Sequence, residues 1–497
     1  MLASVNSAVL EGVVGRVVTV EVHVSRGLPG YTVVGLPDAA GRESRERVRA
    51  AMLSSGLAYP MKRVTVNLAP ASVRKAGSGL ELAVALALTT ADGGLPSGAL
   101  DGVGVLGELG LDGTVRPVSG TLALVDALTR TGAHCVIVPA GNAAEAALVP
   151  GVHVRVARNL EELHACLKGE APWPDPPEPD DRTDDGEHDE PLDLIDVRGL
   201  ANARLALAAA AAGAHHLLLV GPPGVGKTML ARRLPTIMPA LERDAALEVT
   251  RIHSAAGSTP ISALVTRPPF RAPHHSASAV SLVGGGSARV RPGEITLAHR
   301  GALFLDEVPE FPTSVLEALR QPLEERAIRI SRASGTLEFP ADFLLVACAN
   351  PCPCGRAEKE CRCTDVHRTR YARRLSAPLL DRFDLRLRVE TPSAEVGPSS
   401  QEVRMWVEIA VERQRSRLSG THWRRNAHIP AGALEALVPM PADAHEAWTD
   451  ACRLRRLTGR GAARVRRVAR TLADLEDRDQ LIADDVVRAS WLREDVW

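Results

Sequence analysis

The segment Gly221-Pro-Pro-Gly-Val-Gly-Lys227-Thr228 combines residue types suited to holding a polyphosphate. Gly221, Gly224 and Gly226 let backbone N–H groups turn toward an anion, around Pro222, Pro223 and Val225. Lys227 can reach the β and γ phosphates, Thr228 can hold Mg²⁺, and the N-terminus of a following helix adds a favourable dipole. The chain has only five lysines against 54 arginines, so a lysine at this place carries weight that an arginine would not. About 80 residues later, Gly301-Ala-Leu-Phe-Leu-Asp-Glu307 ends an apolar run in two carboxylates. Asp306 is suited to Mg²⁺ and its water, and Glu307 to orienting and deprotonating an attacking water. A third apolar run, 343–349, ends at Asn350, a neutral group that can position a γ-phosphate or the water without adding charge. Arg382, between Leu380 and Phe383, is placed to project a guanidinium, either to a neighbour's γ-phosphate or into an internal salt bridge with Asp381 or Asp384.

Four of the eight cysteines, Cys352, Cys354, Cys361 and Cys363, crowd directly after Asn350. Four thiolates in so short a span suit tetrahedral Zn²⁺, with reduced free cysteines as the alternative, because Cys-x-Cys is tighter than the usual knuckle. Two insertions supply bases for a polyanion. The first runs from Phe270-Arg271 through His274 and His275 to Arg289 and Arg291, and reads as polar and flexible. The second, 327–340, alternates as a β-hairpin with a basic tip at Arg332. Arg271, Arg289, Arg291 and Arg332 can pair with DNA phosphates, and such contacts carry no sequence information. For His274 and His275 a loop or subunit-interface role outweighs metal or catalysis, and for the arginines a solvated face is the alternative.

The elements that must position these groups follow from pattern. Leu217–Val220, then the glycine loop, then an amphipathic helix arrive in the order strand, loop, helix, and buried parallel strands place their C-terminal ends at the ligand. Residues 172–193 hold six prolines and ten acids against one arginine, a flexible linker that separates a first domain from the rest. That first domain, 1–168, alternates strands (17–24, 31–34, 63–67) with helices after Pro37, capped by Asp38, and over about 79–89. The expected organisation is 1–168, a linker at 169–193, an ATPase core at 194–398 and a helical lid at 399–497. The lid is locally basic, with 14 arginines and 7 acids over 401–470. Overall, 59 Lys plus Arg balance 60 Asp plus Glu in 497 residues, so no bulk field recruits nucleic acid or membrane. No apolar run is long enough to span a bilayer and no secretion signal is recognised, so the cytoplasm is expected.

In the first domain, RKAGSGLELAVAL and VGVLGELGLDGTVRPVSGTLALVDALTRTGAHCVIVPAGN resemble the ribosomal-S5-like fold shared by Lon-type proteolytic domains and RadA-type repair proteins. The Lon resemblance implies a lysine base after Pro-Val-x-Gly, where Leu122 stands here. Ser78 is therefore read as a turn serine, and the domain as proteolytically inert and used for contacts. The Gly-rich loop, Asp306-Glu307, Asn350 and Arg382 together resemble an AAA+ ATPase. GEITLAHRGALFLDEVPEF, RPPFRAPHHSAS and ACANPCPCG…CRC…LSAPLLDRFDL are similar to the magnesium-chelatase-like YifB/ComM family, related to the magnesium-chelatase ATPase subunit and the MCM helicases. The resemblance implies an α/β fold: an S5/Lon-like α/β domain, an AAA+ three-layer α/β/α core and an α-helical lid. It implies ATP and Mg²⁺ as cofactors, a homohexameric ring, and single-stranded or branched DNA as partner, in branch migration during recombination or natural transformation. It also implies a sensor arginine at the start of a lid helix, Arg460, with Arg464 the next candidate. A chelatase-type ATPase subunit and a nucleotide-switched scaffold remain the alternatives.

Overall fold

The computed structural model describes residues 1–496 apart from 36–38, 74, 76–78, 176–191, 258–259, 287–289, 333–334, 357–360 and 391–392. Asp38, Ser78, Arg289 and most of the acidic linker therefore lie outside the described residues.

Alternation builds the first sheet. Val18, Val20, Val22 and Val24 are buried on one face of the strand Val14–Ser25, which pairs antiparallel with Leu2–Glu11 from Leu2↔His23 to Glu11↔Val14. These two are the centre of a seven-stranded mixed sheet ordered Gly30–Val34, Arg63–Ala69, Val14–Ser25, Leu2–Glu11, Val103–Val105, Cys135–Pro139 and His153–Ala157. The helix Glu81–Ala91 is apolar all round because nearly every one of its residues is buried. Its single acid, Glu81, is held by Arg47 at 2.6 Å and by the Leu109 N–H at 3.0 Å, while burial pushes its pKa up. Leu122, where the Lon-type pattern has its base, is buried in the first turn of the helix Thr121–Arg130.

A second sheet of five strands, ordered Phe270–Arg271, Ala302–Leu305, Leu344–Ala349, Leu217–Val220 and Leu385–Arg388, is parallel throughout. Its inner strands are continuous apolar runs because both faces are covered. Leu217 and Leu219 pack with the helices Ala201–Gly213, Ser400–Arg417 and Gly459–Leu475. Leu218 and Val220 pack on the other side with Ile252, Val315 and Leu316. The result is a three-layer α/β/α core with a helical C-terminal region, joined where Gln414 donates to the Ala212 carbonyl at 3.1 Å. The first sheet's unit docks on this core through Arg251–Asp126 at 3.1 Å and through Val13, which shares an apolar cluster with Phe339. Among the described residues no helix is long and apolar enough to cross a membrane.

One partly buried histidine makes stability pH-dependent. His216 precedes the strand Leu217–Val220, and its Nδ1 accepts the Leu345 N–H at 3.0 Å, a bond that only neutral imidazole can accept at that atom. Burial lowers its pKa to about 4. The unfolded chain binds this proton near pH 6.5 and the folded chain does not, so stability falls as pH drops below 6.5. Between pH 7 and 5 this group alone is expected to cost about 2 kcal/mol, read from denaturant midpoints. His216→Gln, which keeps an acceptor without a titrating group, should flatten the profile by that amount.

Candidate nucleotide site

The strand Leu217–Val220 runs into the glycine loop and then the helix Lys227–Arg232, so the loop sits at the C-terminal edge of the parallel sheet. Gly224 and Gly226 have φ of +82° and +93°, values that side chains rarely adopt, and open space surrounds Gly224. Lys227 is buried and its Nζ donates to the carbonyls of Gly221 (2.7 Å) and Pro222 (2.8 Å) and to Asn350 Oδ1 (3.3 Å). Burial lowers its pKa. These oxygens occupy the ammonium in the way phosphate oxygens would. Thr228 Oγ1 donates to Asp306 Oδ2 at 2.8 Å, a hydroxyl and a carboxylate that form the hard-oxygen pair Mg²⁺ prefers. The residues present thus fit ATP with Mg²⁺.

Asp306 and Glu307 follow the strand Ala302–Leu305, and Glu307 has φ of +49°, an unusual backbone for a residue with a β-carbon. Its N–H donates to Asp306 Oδ1 at 3.0 Å. Nothing in the sequence spacing linked Glu307 to His275, yet His275 Nδ1 lies 3.9 Å from Glu307 Oε2. The fold brings Lys227, Thr228, Asp306, Glu307 and Asn350 to one edge of the sheet.

It does not bring Arg382 there. Arg382 precedes the strand Leu385–Arg388, which runs parallel to Leu217–Val220 in the register Leu217↔Leu385 and Val220↔Arg388. Gly221 follows one end of this pair and Arg382 precedes the other, so at least about 10 Å of strand separates them. Arg382 pairs with Glu324 and donates to the Pro378 carbonyl at 2.8 Å. The acids expected as its internal partners instead hold Arg464, at 3.4 Å from Asp381 and 3.0 Å from Asp384. Arg460, one turn earlier, is exposed and has no ion-pair partner among the described residues. Arg382, Arg460 and Arg464 line one cavity of about 320 Å³ with His216 and Glu324.

The basic insertions differ from expectation. Phe270–Arg271 is an edge strand of the core sheet, not a flexible loop, and Arg271 is gripped by both carboxylate oxygens of Glu294 at 2.6 and 2.9 Å. This bidentate pair ties Arg271 to Glu294 within the chain, although its side chain remains partly exposed. Arg291 is exposed on a two-residue strand paired with Gly284–Gly285. The hairpin forms with strands Ala327–Arg332 and Gly335–Pro340, and Arg332 donates to the Gly286 carbonyl, so the two insertions meet.

The four thiols converge. Cys352 Sγ lies 3.3 Å from Cys354 Sγ and 3.4 Å from Cys361 Sγ, and all four sulfurs, Cys363 included, lie within 4.8 Å of one another with no disulfide among them. Burial pushes the Cys352 thiol up, while the Arg356 N–H pulls that of Cys354 down.

Three family models match the chain: "Subunit ChlI of Mg-chelatase" over 20–142, "Magnesium chelatase, subunit ChlI" over 193–396, and "Magnesium chelatase, subunit ChlI C-terminal" over 397–493. An uncharacterized protein of Mycobacterium tuberculosis is 45% identical over 98% of both chains. The uncharacterized protein YifB of Escherichia coli is 39% identical over 96% of this chain and 94% of its own. The competence protein ComM of Haemophilus influenzae is 38% identical over 98% and 96%. With the parallel sheet and its phosphate loop, this full-length identity means that the chain belongs to the YifB/ComM family of magnesium-chelatase-like AAA+ ATPases.

Proposed function

We propose that this protein is an ATP-hydrolysing ring motor that acts on DNA, working as a homohexamer. Lys227 and the loop N–H groups bind the phosphates, and Thr228 and Asp306 hold Mg²⁺, which when bound offsets phosphate charge. Glu307 orients and deprotonates the water, and Asn350 positions the γ-phosphate. Arg382 and Arg460 act on the neighbouring protomer's nucleotide. The observation that carries this reading is the separation of the two half-sites, cradle at one sheet edge and Arg382 at the other, which leaves a single chain incomplete. The same reading assigns a structural Zn²⁺ to Cys352, Cys354, Cys361 and Cys363. It divides the chain into units 1–168, 194–398 and 399–497 joined by the linker 169–193.

DNA as the substrate is supported by the junction of the two insertions, where Arg291 and Arg332 offer guanidinium groups to a backbone, and by the competence protein among the relatives. That relative's name supports a place in recombination or natural transformation. The deciding experiment is ATP turnover with and without single-stranded and four-way-junction DNA at two salt concentrations. Stimulation that weakens with salt is expected, and Arg332→Ala should reduce the log–log salt slope of DNA binding by about 1 while basal turnover persists. Stimulation by neither DNA would leave a nucleotide-switched scaffold as the better description.

A further inference from the structure

The thiol cluster sits against the nucleotide cradle, and the chain between them has almost no apolar core. Among the described residues of 351–370 only Cys352 and Gly355 are buried. A segment that buries so little needs a crosslink to hold one shape. The sulfur separations of 3.3, 3.4 and 3.7 Å are close to the edges of a ZnS₄ tetrahedron, about 3.8 Å for bonds of about 2.3 Å.

Three links lead from this cluster to the phosphate loop. Asn350, which accepts from Lys227 Nζ, lies two residues before Cys352. The helix Asp365–Ala372 begins two residues after Cys363, and its buried Tyr371 lies close enough to the Asn350 backbone N–H for that group to lower its pKa against the effect of burial. Gly355, with φ of +67°, packs on the loop itself: a β-carbon there would stand 3.4 Å from Pro223 Cγ and 3.9 Å from Asn350 Nδ2. The crosslink thus closes a ring of contacts around Asn350 and Pro223.

We propose that the metal on these four thiolates is a strut for the phosphate loop, so that metal occupancy sets nucleotide affinity. This rests on the zinc reading given above. With the thiolates bound, Cys352 and Gly355 stay seated and Tyr371 stays on Asn350. With the metal removed, the segment loses that crosslink and Lys227 loses a fixed acceptor.

The test uses the full-length protein. Metal released by a mercurial thiol reagent is counted with a zinc-sensitive dye, and affinity for a fluorescent ATP analogue with Mg²⁺ is measured before and after removal of the metal by chelation, then after Zn²⁺ is restored. One zinc per chain is expected, with affinity about tenfold weaker after removal and recovered on restoration. Gly355→Asn, which keeps all four thiols and tolerates the left-handed backbone, is expected to retain zinc and still bind the analogue more weakly, because its side chain is built toward Pro223. Absence of metal, or a disulfide in its place, would overturn the zinc reading. Zinc at one per chain with affinity unchanged by its removal would overturn the strut alone.

Discussion

Arg382→Ala is expected to lower the ATP turnover of the assembled protein by about 10³ to 10⁵ while nucleotide binding at Lys227 stays intact. The guanidinium cannot serve its own chain, because it lies at the sheet edge opposite the phosphate loop. Its effect must therefore appear in trans. Mixing Arg382→Ala chains with Lys227→Ala chains, each inactive alone, should restore turnover, since some junctions then pair an intact cradle with an intact arginine. Random assembly makes about one junction in four complete, whatever the ring size, so about a quarter of the wild-type rate is the expected ceiling. A mixture as inactive as its components would mean that the arginine does not act across a junction.

The resting contact of Arg382 with Glu324 does not weaken this expectation. Glu324 is more than half exposed, so solvent screens the pair on that side even though the Arg382 side chain is mostly buried. A rate factor of about 10³ to 10⁵ corresponds to about 4 to 7 kcal/mol of transition-state stabilisation. On the trans reading proposed above, a neighbour's phosphate is expected to outcompete the carboxylate. Arg464 is different in kind: Asp381 and the buried Asp384 both hold it, and Asp384 stays charged because it accepts from His215 and its pKa is held down despite burial. Arg464 is a strut for the cavity wall, and Arg460 is the group left to reach outward.

The parallel core was legible because a strand buried on both faces must be a continuous apolar run, and Leu217–Val220 and Ala302–Leu305 are bounded by glycine and by carboxylates. The hairpin was legible for the opposite reason: one face is wet, so Ile328 and Ile330 alternate with Arg329 and Ser331. The polar, flexible reading of the segment around Arg271 missed its strand, because two residues suffice for an edge strand that pairs with Ala302 and Leu303. The partner of Arg271, Glu294, is 23 positions away, a distance at which no local pattern operates. The arginine-lined cavity was hidden for the same reason, since His216, Glu324, Arg382 and Arg460 come from separate elements. Arg460 and Arg464 share a helix face at four-residue spacing, and only the tertiary position of Asp381 and Asp384 tells them apart.

Glu307→Gln is expected to cut turnover by about 10² to 10⁴ and to leave ATP binding within a few-fold of wild type, because the amide keeps the shape but cannot take a proton. The backbone sharpens the test. Glu307 holds φ at +49°, a left-handed conformation that costs a residue with a β-carbon about 1 to 2 kcal/mol. Gln carries the same cost, so Glu307→Gln should unfold at the same denaturant midpoint as wild type. Glu307→Gly removes the strain together with the carboxylate, and it should be more stable by up to about 1 kcal/mol while equally inactive. That pairing, stability gained as hydrolysis is lost, is the signature of a conformation held for chemistry and not for folding. Turnover by Glu307→Gln within tenfold of wild type would instead assign proton transfer to another group, and His275, 3.9 Å from the carboxylate, is the neighbour through which to look for it.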